Sequence, residues 1–202
     1  MTMAEELTTT NSTTTSPADV HKGSGFAVGN GDERWYIAEC KPTKETTIRT
    51  MLRNAKYEVY VASRIEEKVY ANRTRRRKET VVIPGKVFVR TVENSLMGIM
   101  YGYSAVWRFM INRLSKQRAF AFVPDDQMQQ LQYVLGHAEN PVYITAESLK
   151  VGQEVRVMRG ALAGVQGSFY KQGHTSYIVI KVEMGSSHYV FTEVPTEDIQ
   201  PV

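Results

Sequence analysis

Residues 73–90 read RTRRRKETVVIPGKVFVR, a dense run of positive charge joined to an apolar strand through a Pro-Gly step. Pro followed by Gly marks a turn, so the charge and the strand belong to different elements. Beyond the turn, residues 85–92 read as a strand rich in β-formers. Before it, residues 62–80 are mostly polar and basic, which predicts a projecting hairpin or a mobile arm outside the core. The segments on either side decide the fold.

Upstream, WYIAECK at 35–41 places aromatic and β-branched residues at the start of a strand that Pro42 closes. Ile48, Met51, Leu52 and Ala55 then recur at the spacing of one helical stripe, in a helix ending near Asn54. YEVYV at 57–61 is a second strand. Downstream of the third strand, Asn94 or Ser95 is placed to cap a short helix through Leu96, Met97 and Met100. AVWRFMI at 105–111 returns to strand composition, and 119–123 is a short apolar run. Pro124, Asp125 and Asp126 suit the first turn of a helix that turns Met128, Leu131, Val134 and Leu135 inward. This order predicts a ferredoxin-like α/β sandwich with an added C-terminal helix.

Periodicity fades over residues 137–149, which contain Pro141 and are expected to form a linker. From residue 151 the pattern changes to short strands at 154–158, 167–170, 177–182 and 188–194, punctuated by glycine. In about 55 residues that spacing predicts a small β-barrel. The fold class is therefore α+β, a sandwich over 34–136 followed by an all-β domain over 150–202. Residues 1–33, rich in Thr, Ser and Gly, have too little to bury to offset the ordering entropy, and a disordered tail is expected there.

Composition narrows the function. Of the 202 residues 42% are hydrophobic, an ordinary fraction for a globular protein. No apolar run approaches the roughly 20 residues needed to span a bilayer, and the N-terminus lacks the apolar core of a signal peptide. A cytoplasmic monomer without membrane contact is the expectation. Cys40, the single cysteine, suits a reducing compartment and reads as a small buried hydrophobe. The four histidines are scattered without ligand spacing, and no Gly-rich phosphate cradle joins a strand to a helix. No catalysis, metal or cofactor is expected.

The net charge of +4 is unevenly spread. Residues 1–33 hold one basic and five acidic side chains, residues 34–141 nineteen and ten, and residues 142–202 five and six. A middle segment lying beside a polyanion fits this asymmetry. Arg73, Arg75, Arg76, Arg77 and Lys78 have two readings, a solvated arm or a non-specific contact to DNA or RNA phosphates with steep salt dependence. With no aromatics interleaved, sequence readout is not expected of them.

Strand alternation predicts two faces. Tyr36, Ala38, Cys40, Val87 and Val89 would face the helices, leaving Trp35, Ile37 and Glu39 with Lys86, Phe88 and Arg90 on the other side. That second face, with Ile83, is expected to be an exposed apolar partner site, unless the chain's own C-terminal helix covers it.

Two stretches carry a family resemblance. VGQEVRVMRGALAGVQGSFYK, residues 151–171, is similar to a KOW motif, with Gly152 before a strand, Val155 and Val157 alternating in it, and Gly160, Gly164 and Gly167 in the following turn. WYIAECK, a helix, a basic arm and IPGKVFV in that order resemble the N-terminal (NGN) domain of the NusG transcription elongation factors. FVPDDQMQQLQYVL further resembles the specialised UpxY-type paralogues that act on capsular polysaccharide operons. The resemblance implies an SH3-like KOW barrel behind the sandwich, and a first domain that docks on the clamp helices of the large subunit of RNA polymerase. It implies docking through Trp35, Ile37, Glu39, Ile83, Pro84, Lys86 and Phe88, suppression of pausing and termination, and recruitment of a ribosomal protein or termination factor by the second domain. Met184 falls where the family often has an apolar, partner-facing residue, although an ordinary barrel-edge methionine fits equally.

Lys86 stands where the family motif usually has Tyr, and Glu39 where some specialised members are aromatic, so a cross-strand ion pair is expected to replace an aromatic pair. A housekeeping NusG and a KOW-bearing RNA-binding or ribosome-associated protein are the alternatives. The near-neutral second domain speaks against the latter, and the third strand lacks the aromatic pattern of an RRM.

Overall fold

The computed structural model describes residues 32–69, 73–112 and 119–202. The tail expected over 1–33 lies outside them except for Asp32 and Glu33. From Gly31 to Val202 the chain is one compact unit, built from two sheets, a hairpin and three α-helices among the described residues.

The first sheet is formed by β1 (Arg34–Cys40), β2 (Glu58–Tyr60), β5 (Lys86–Thr91), β6 (Val106–Phe109) and β7 (Phe122–Val123). Its order is β2-β5-β1-β6 with β7 also paired to β1, the ferredoxin-like arrangement. Helices α1 (Glu45–Asn54) and α2 (Leu96–Gly102) cover one face. There Tyr36, Ala38 and Cys40 meet Val87, Val89, Ile48 and Leu52 in a closed core, as alternation predicts. Met51, expected in the apolar stripe of α1, is instead 40% exposed, and the buried positions of the helix are Glu45, Ile48 and Leu52. Burial pushes the Cys40 thiol up to about 11, with a further contribution from Glu45; it stays protonated and inert at neutral pH.

The second face differs from expectation. Trp35, Ile37, Ile83 and Phe88 are 5%, 0%, 6% and 0% exposed, so no open apolar patch exists there. Helix α3 (Asp125–His137) supplies Met128, Leu131, Val134 and Leu135 to the same core. Pro124 and two aspartates begin this helix and His137 lies in its last turn, in keeping with the helix dipole. The remaining large apolar groups had to be covered, and the amphipathic helix following β7 is the chain's own cover.

The second sheet runs in the order β13-β9-β10-β11-β12-β8. Its members are β8 (Val142–Thr145), β9 (Glu154–Val157), β10 (Gln166–Gln172), β11 (Thr175–Glu183), β12 (Ser187–Glu193) and β13 (Ile199–Pro201). β8 lies within the stretch expected to be a linker. Tyr143 sits opposite Phe191 and Ile144 opposite Val190, and the stacked Tyr143 and Phe191 rings lie 5.4 Å apart. Four β-forming residues after Pro141 thus find a strand edge to pair with, leaving only residues 138–141 between α3 and the second sheet. Val155, Val157, Ile178, Ile180, Val182 and Val190 belong to the same continuous core as Trp35, Phe88 and the buried side of α3. The expected two domains share one interior. No helix among the described residues is long and apolar enough to cross a membrane.

Burial of Phe88 makes a clear prediction. Phe88→Ala should destabilise the protein by about 3–4 kcal/mol, the usual cost of emptying a core aromatic site, read as a lowered denaturant midpoint. A ring on an exposed patch would change stability by less than about 0.5 kcal/mol.

Candidate functional site

β1 and β5 are antiparallel, with Trp35 opposite Arg90, Ile37 opposite Phe88 and Glu39 opposite Lys86. The last rung carries the expected ion pair, with Lys86 Nζ donating to Glu39 Oε1 at 2.5 Å. Arg108, which sequence reasoning did not single out, completes the group. It lies opposite Glu39 on β6, and its Nε donates to Glu39 Oε2. Burial alone pushes the Glu39 carboxyl up, but hydrogen bonds from Lys86 and Arg108 outweigh it and hold Glu39 below the ordinary carboxylate range. The alternation that places Arg108 beside Glu39 was legible; that β6 neighbours β1 needed the fold.

The turn before β5 is tied down from two sides. The Gly85 N–H donates to the buried Glu45 carboxylate at 2.6 Å, and its carbonyl accepts from the Cys40 N–H at 3.0 Å. Gly85 has φ +74°, and an added Cβ would meet the Cys40 carbonyl at 3.2 Å, so this turn requires glycine. Pro84 beside it is exposed. Of the seven expected docking residues, then, Glu39, Pro84 and Lys86 reach the surface and four are core.

The basic run lies on a hairpin of β3 (Ser63–Val69) and β4 (Arg75–Val81). Seven rungs pair these strands, a regular ladder, and Arg73 precedes β4 with φ +59°. Glu66 stands opposite Lys78 and Glu67 opposite Arg77, but Lys68 stands opposite Arg76, so the opposing strand pairs charge locally while leaving the cationic excess of residues 73–78 in place. Arg73, Arg75, Arg76, Arg77 and Lys78 are all exposed. Glu79 anchors the base of the hairpin, accepting from Arg49 at 2.6 and 2.9 Å and from the Ser63 hydroxyl at 2.5 Å. These bonds, the Arg49 pair foremost, hold its carboxyl down at about 2. On the other strand Arg64 donates to the carbonyls of Asn140 and Ala138, at 2.6 and 2.8 Å, fastening the hairpin to the segment that leads into β8.

In the second sheet the glycines divide by cause. Gly160 and Gly164 have φ +78° and +91°, angles that disfavour a side chain. Gly167 does not; an added Cβ there would run into the Val179 carbonyl oxygen, so close strand approach is its reason. Gly152 donates its N–H to the Phe169 carbonyl at 2.6 Å. Val155 and Val157 point inward and are buried. Met184, expected to face a partner, is fully buried. The turn it begins lies against the first sheet, where the Cβ position of Gly185 is 3.0 Å from the Ile111 carbonyl and 3.3 Å from Ala121. An intramolecular neighbour occupies this place.

An antiparallel α/β sandwich sharing its core with a β-rich domain, and carrying an ionic site and a cationic hairpin, defines the class. Residues 33–132 match the family model described as Transcription termination factor nusG. The match covers just under half of the chain. No curated protein matches the chain. Among solved structures, one described as "Domain interaction in Thermotoga maritima NusG" is similar at 16% identity and a TM-score of 0.43, over 85% of this chain and 98% of that one. The MjSpt4:Spt5 complex is similar in conformation A at 11% identity and a TM-score of 0.27, over 83% of this chain and 97% of that one. In conformation B it is similar at 13% identity and 0.28, over 83% and 96%.

The Glu79 anchor sets a pH test. A carboxyl depressed in the folded state stabilises above its unfolded value, near 4.3, and that contribution is lost as pH falls through about 2. The protection factors of the 63–69 and 73–81 amides, with the intrinsic pH dependence of exchange divided out, should fall across this window in the wild-type protein. In Glu79→Gln the extra protection should already be missing at pH 6; equal protection at pH 6 would show that the anchor contributes nothing.

Proposed function

We propose that this protein is a NusG-like transcription elongation factor that binds RNA polymerase and suppresses pausing and termination. The observation that carries the reading is the family match over 33–132, the segment that builds the Glu39–Lys86 site. Docking on the clamp helices of the large subunit uses Glu39, Pro84 and Lys86 at the surface, while Trp35, Ile37, Ile83 and Phe88 hold these strands in register from beneath. A bound protein that keeps the polymerase clamp closed disfavours the opened states leading to pausing, and this requires no chemistry.

The exposed cations from Arg73 to Lys78 reach nucleic-acid phosphates beside the cleft without reading sequence. The second domain acts as a KOW module that recruits a ribosomal protein or termination factor. Engagement at Met184 requires its turn to leave Ile111 and Ala121. Lys86 in place of the family's usual Tyr, together with the segment around α3, favours a specialised cytoplasmic antiterminator of capsular-polysaccharide type over a housekeeping factor.

Retention on immobilised core RNA polymerase, compared with retention on naked RNA, tests this reading. Wild-type protein should be retained by polymerase, and Glu39→Ala or Lys86→Ala should each weaken binding by roughly 1 kcal/mol, about fivefold. Retention by RNA but not by polymerase would overturn it.

A further inference from the structure

We infer that the partner docked at this site presents a carboxylate to Arg108 and an apolar side chain to the cavity beside it. The inference rests on the docking reading above and specifies the chemistry of the surface that is met.

Both oxygens of Glu39 are already engaged, Oε1 by Lys86 and Oε2 by Arg108. One carboxylate against two cations leaves a net positive site. The surplus sits at the surface, for the Arg108 side chain is 69% exposed and that of Lys86 23%. Nε of Arg108 is held by Glu39, whereas its two terminal amino groups have no partner among the described residues. A guanidinium fixed at one nitrogen presents the rest of its donors in a set plane, the geometry that takes a carboxylate by two parallel bonds.

A β-bulge creates this arrangement. Along β1 and β6, Ala38 pairs with Phe109 and Glu39 with Arg108, but Cys40 pairs with Val106. Trp107 is the extra residue, turned out and 60% exposed. Without the bulge, Trp107 would oppose Cys40 in the helix-side core. The bulge puts Val106 there, while Arg108 keeps the face of Glu39. Re-aiming a side chain is a common use of bulges at sheet edges.

Beside the ion pair lies a cavity of about 140 Å³ lined by Glu39, Arg108, Phe109, Met110 and Ile111. This is on the order of one large apolar side chain in size, and Ile111 at its rim is 45% exposed. Phosphate satisfies a guanidinium as well as a carboxylate does, but a nucleic-acid backbone brings nothing for an apolar recess. A protein segment with an acidic residue next to an apolar one supplies both.

Full-length wild-type, Arg108→Lys, Arg108→Ala and Arg108→Glu proteins should be titrated against nucleic-acid-free core RNA polymerase and, separately, against single-stranded RNA. Arg108→Ala and Arg108→Lys replace a largely exposed side chain and should melt close to wild type, whereas Arg108→Glu sets a second carboxylate opposite Glu39 and should melt lower while remaining folded at the temperature of the titration. Arg108→Glu should weaken polymerase binding about tenfold or more, Arg108→Ala several-fold, and Arg108→Lys by an intermediate amount because charge survives without the fork. The wild-type salt dependence should flatten in Arg108→Ala. If wild-type protein binds and Arg108→Glu binds equally at low salt, the inference falls while the docking reading stands. If Arg108→Glu loses only RNA, the site takes phosphate and the inference is wrong. Failure of wild-type protein to bind polymerase overturns both.

Discussion

The antiparallel register between β1 and β5 governs the rest of the structure. With Ile37 opposite Phe88 and Glu39 opposite Lys86, one set of alternate residues enters the helix-side core and the other forms a second face, apolar at Trp35, Ile37 and Phe88 and charged at Arg90 on one side and at Glu39 and Lys86 on the other. A slip of one residue would exchange the faces. Glu39 would then point toward Ile48 and Leu52, leaving a charge in an apolar interior at a cost of several kcal/mol. Hydrophobic burial along most of the strand and charge pairing at its end therefore select the same alignment.

From this register follows the role of α3. The apolar part of the second face needs a cover, and the helix after β7 provides it with Met128, Leu131 and Leu135 while also joining the interior of the second sheet. Gln127 accepts from the Glu183 N–H at 2.8 Å, and Arg64 and Asn140 continue the join, Asn140 donating to the Glu193 carbonyl at 3.2 Å. What stays at the surface near Glu39 is the ionic group of Glu39, Lys86 and Arg108, above the buried apolar residues.

Much of this was legible in the sequence, because the signals were local. Alternation in WYIAECK and KVFVR assigned residues to the correct faces, helical spacing identified the buried side of α3, and the Glu39–Lys86 pairing followed from that alternation with the two strands adjacent in a ferredoxin-like sheet. What was not legible depended on the long-range arrangement. Whether Trp35 and Phe88 face water or a helix is a question of packing between distant segments, and so is the burial of Met184 against the chain's own residues. VYIT at 142–145 is too short to announce itself as a strand without the β12 edge to which it binds. Arg108 was overlooked because a single exposed arginine has no sequence signature; its importance comes from a bulge one residue away.

Photocrosslinking gives the most direct test of whether the ionic end of β1 and β5 meets the polymerase. A photoreactive amino acid would be placed at Pro84, which is exposed beside Lys86, and, for comparison, at Tyr101, 78% exposed on α2. With core RNA polymerase, a covalent adduct to the large subunit is expected from position 84 and a much weaker one from position 101. An adduct from position 101 with none from position 84 would mean that the ionic end does not meet the polymerase.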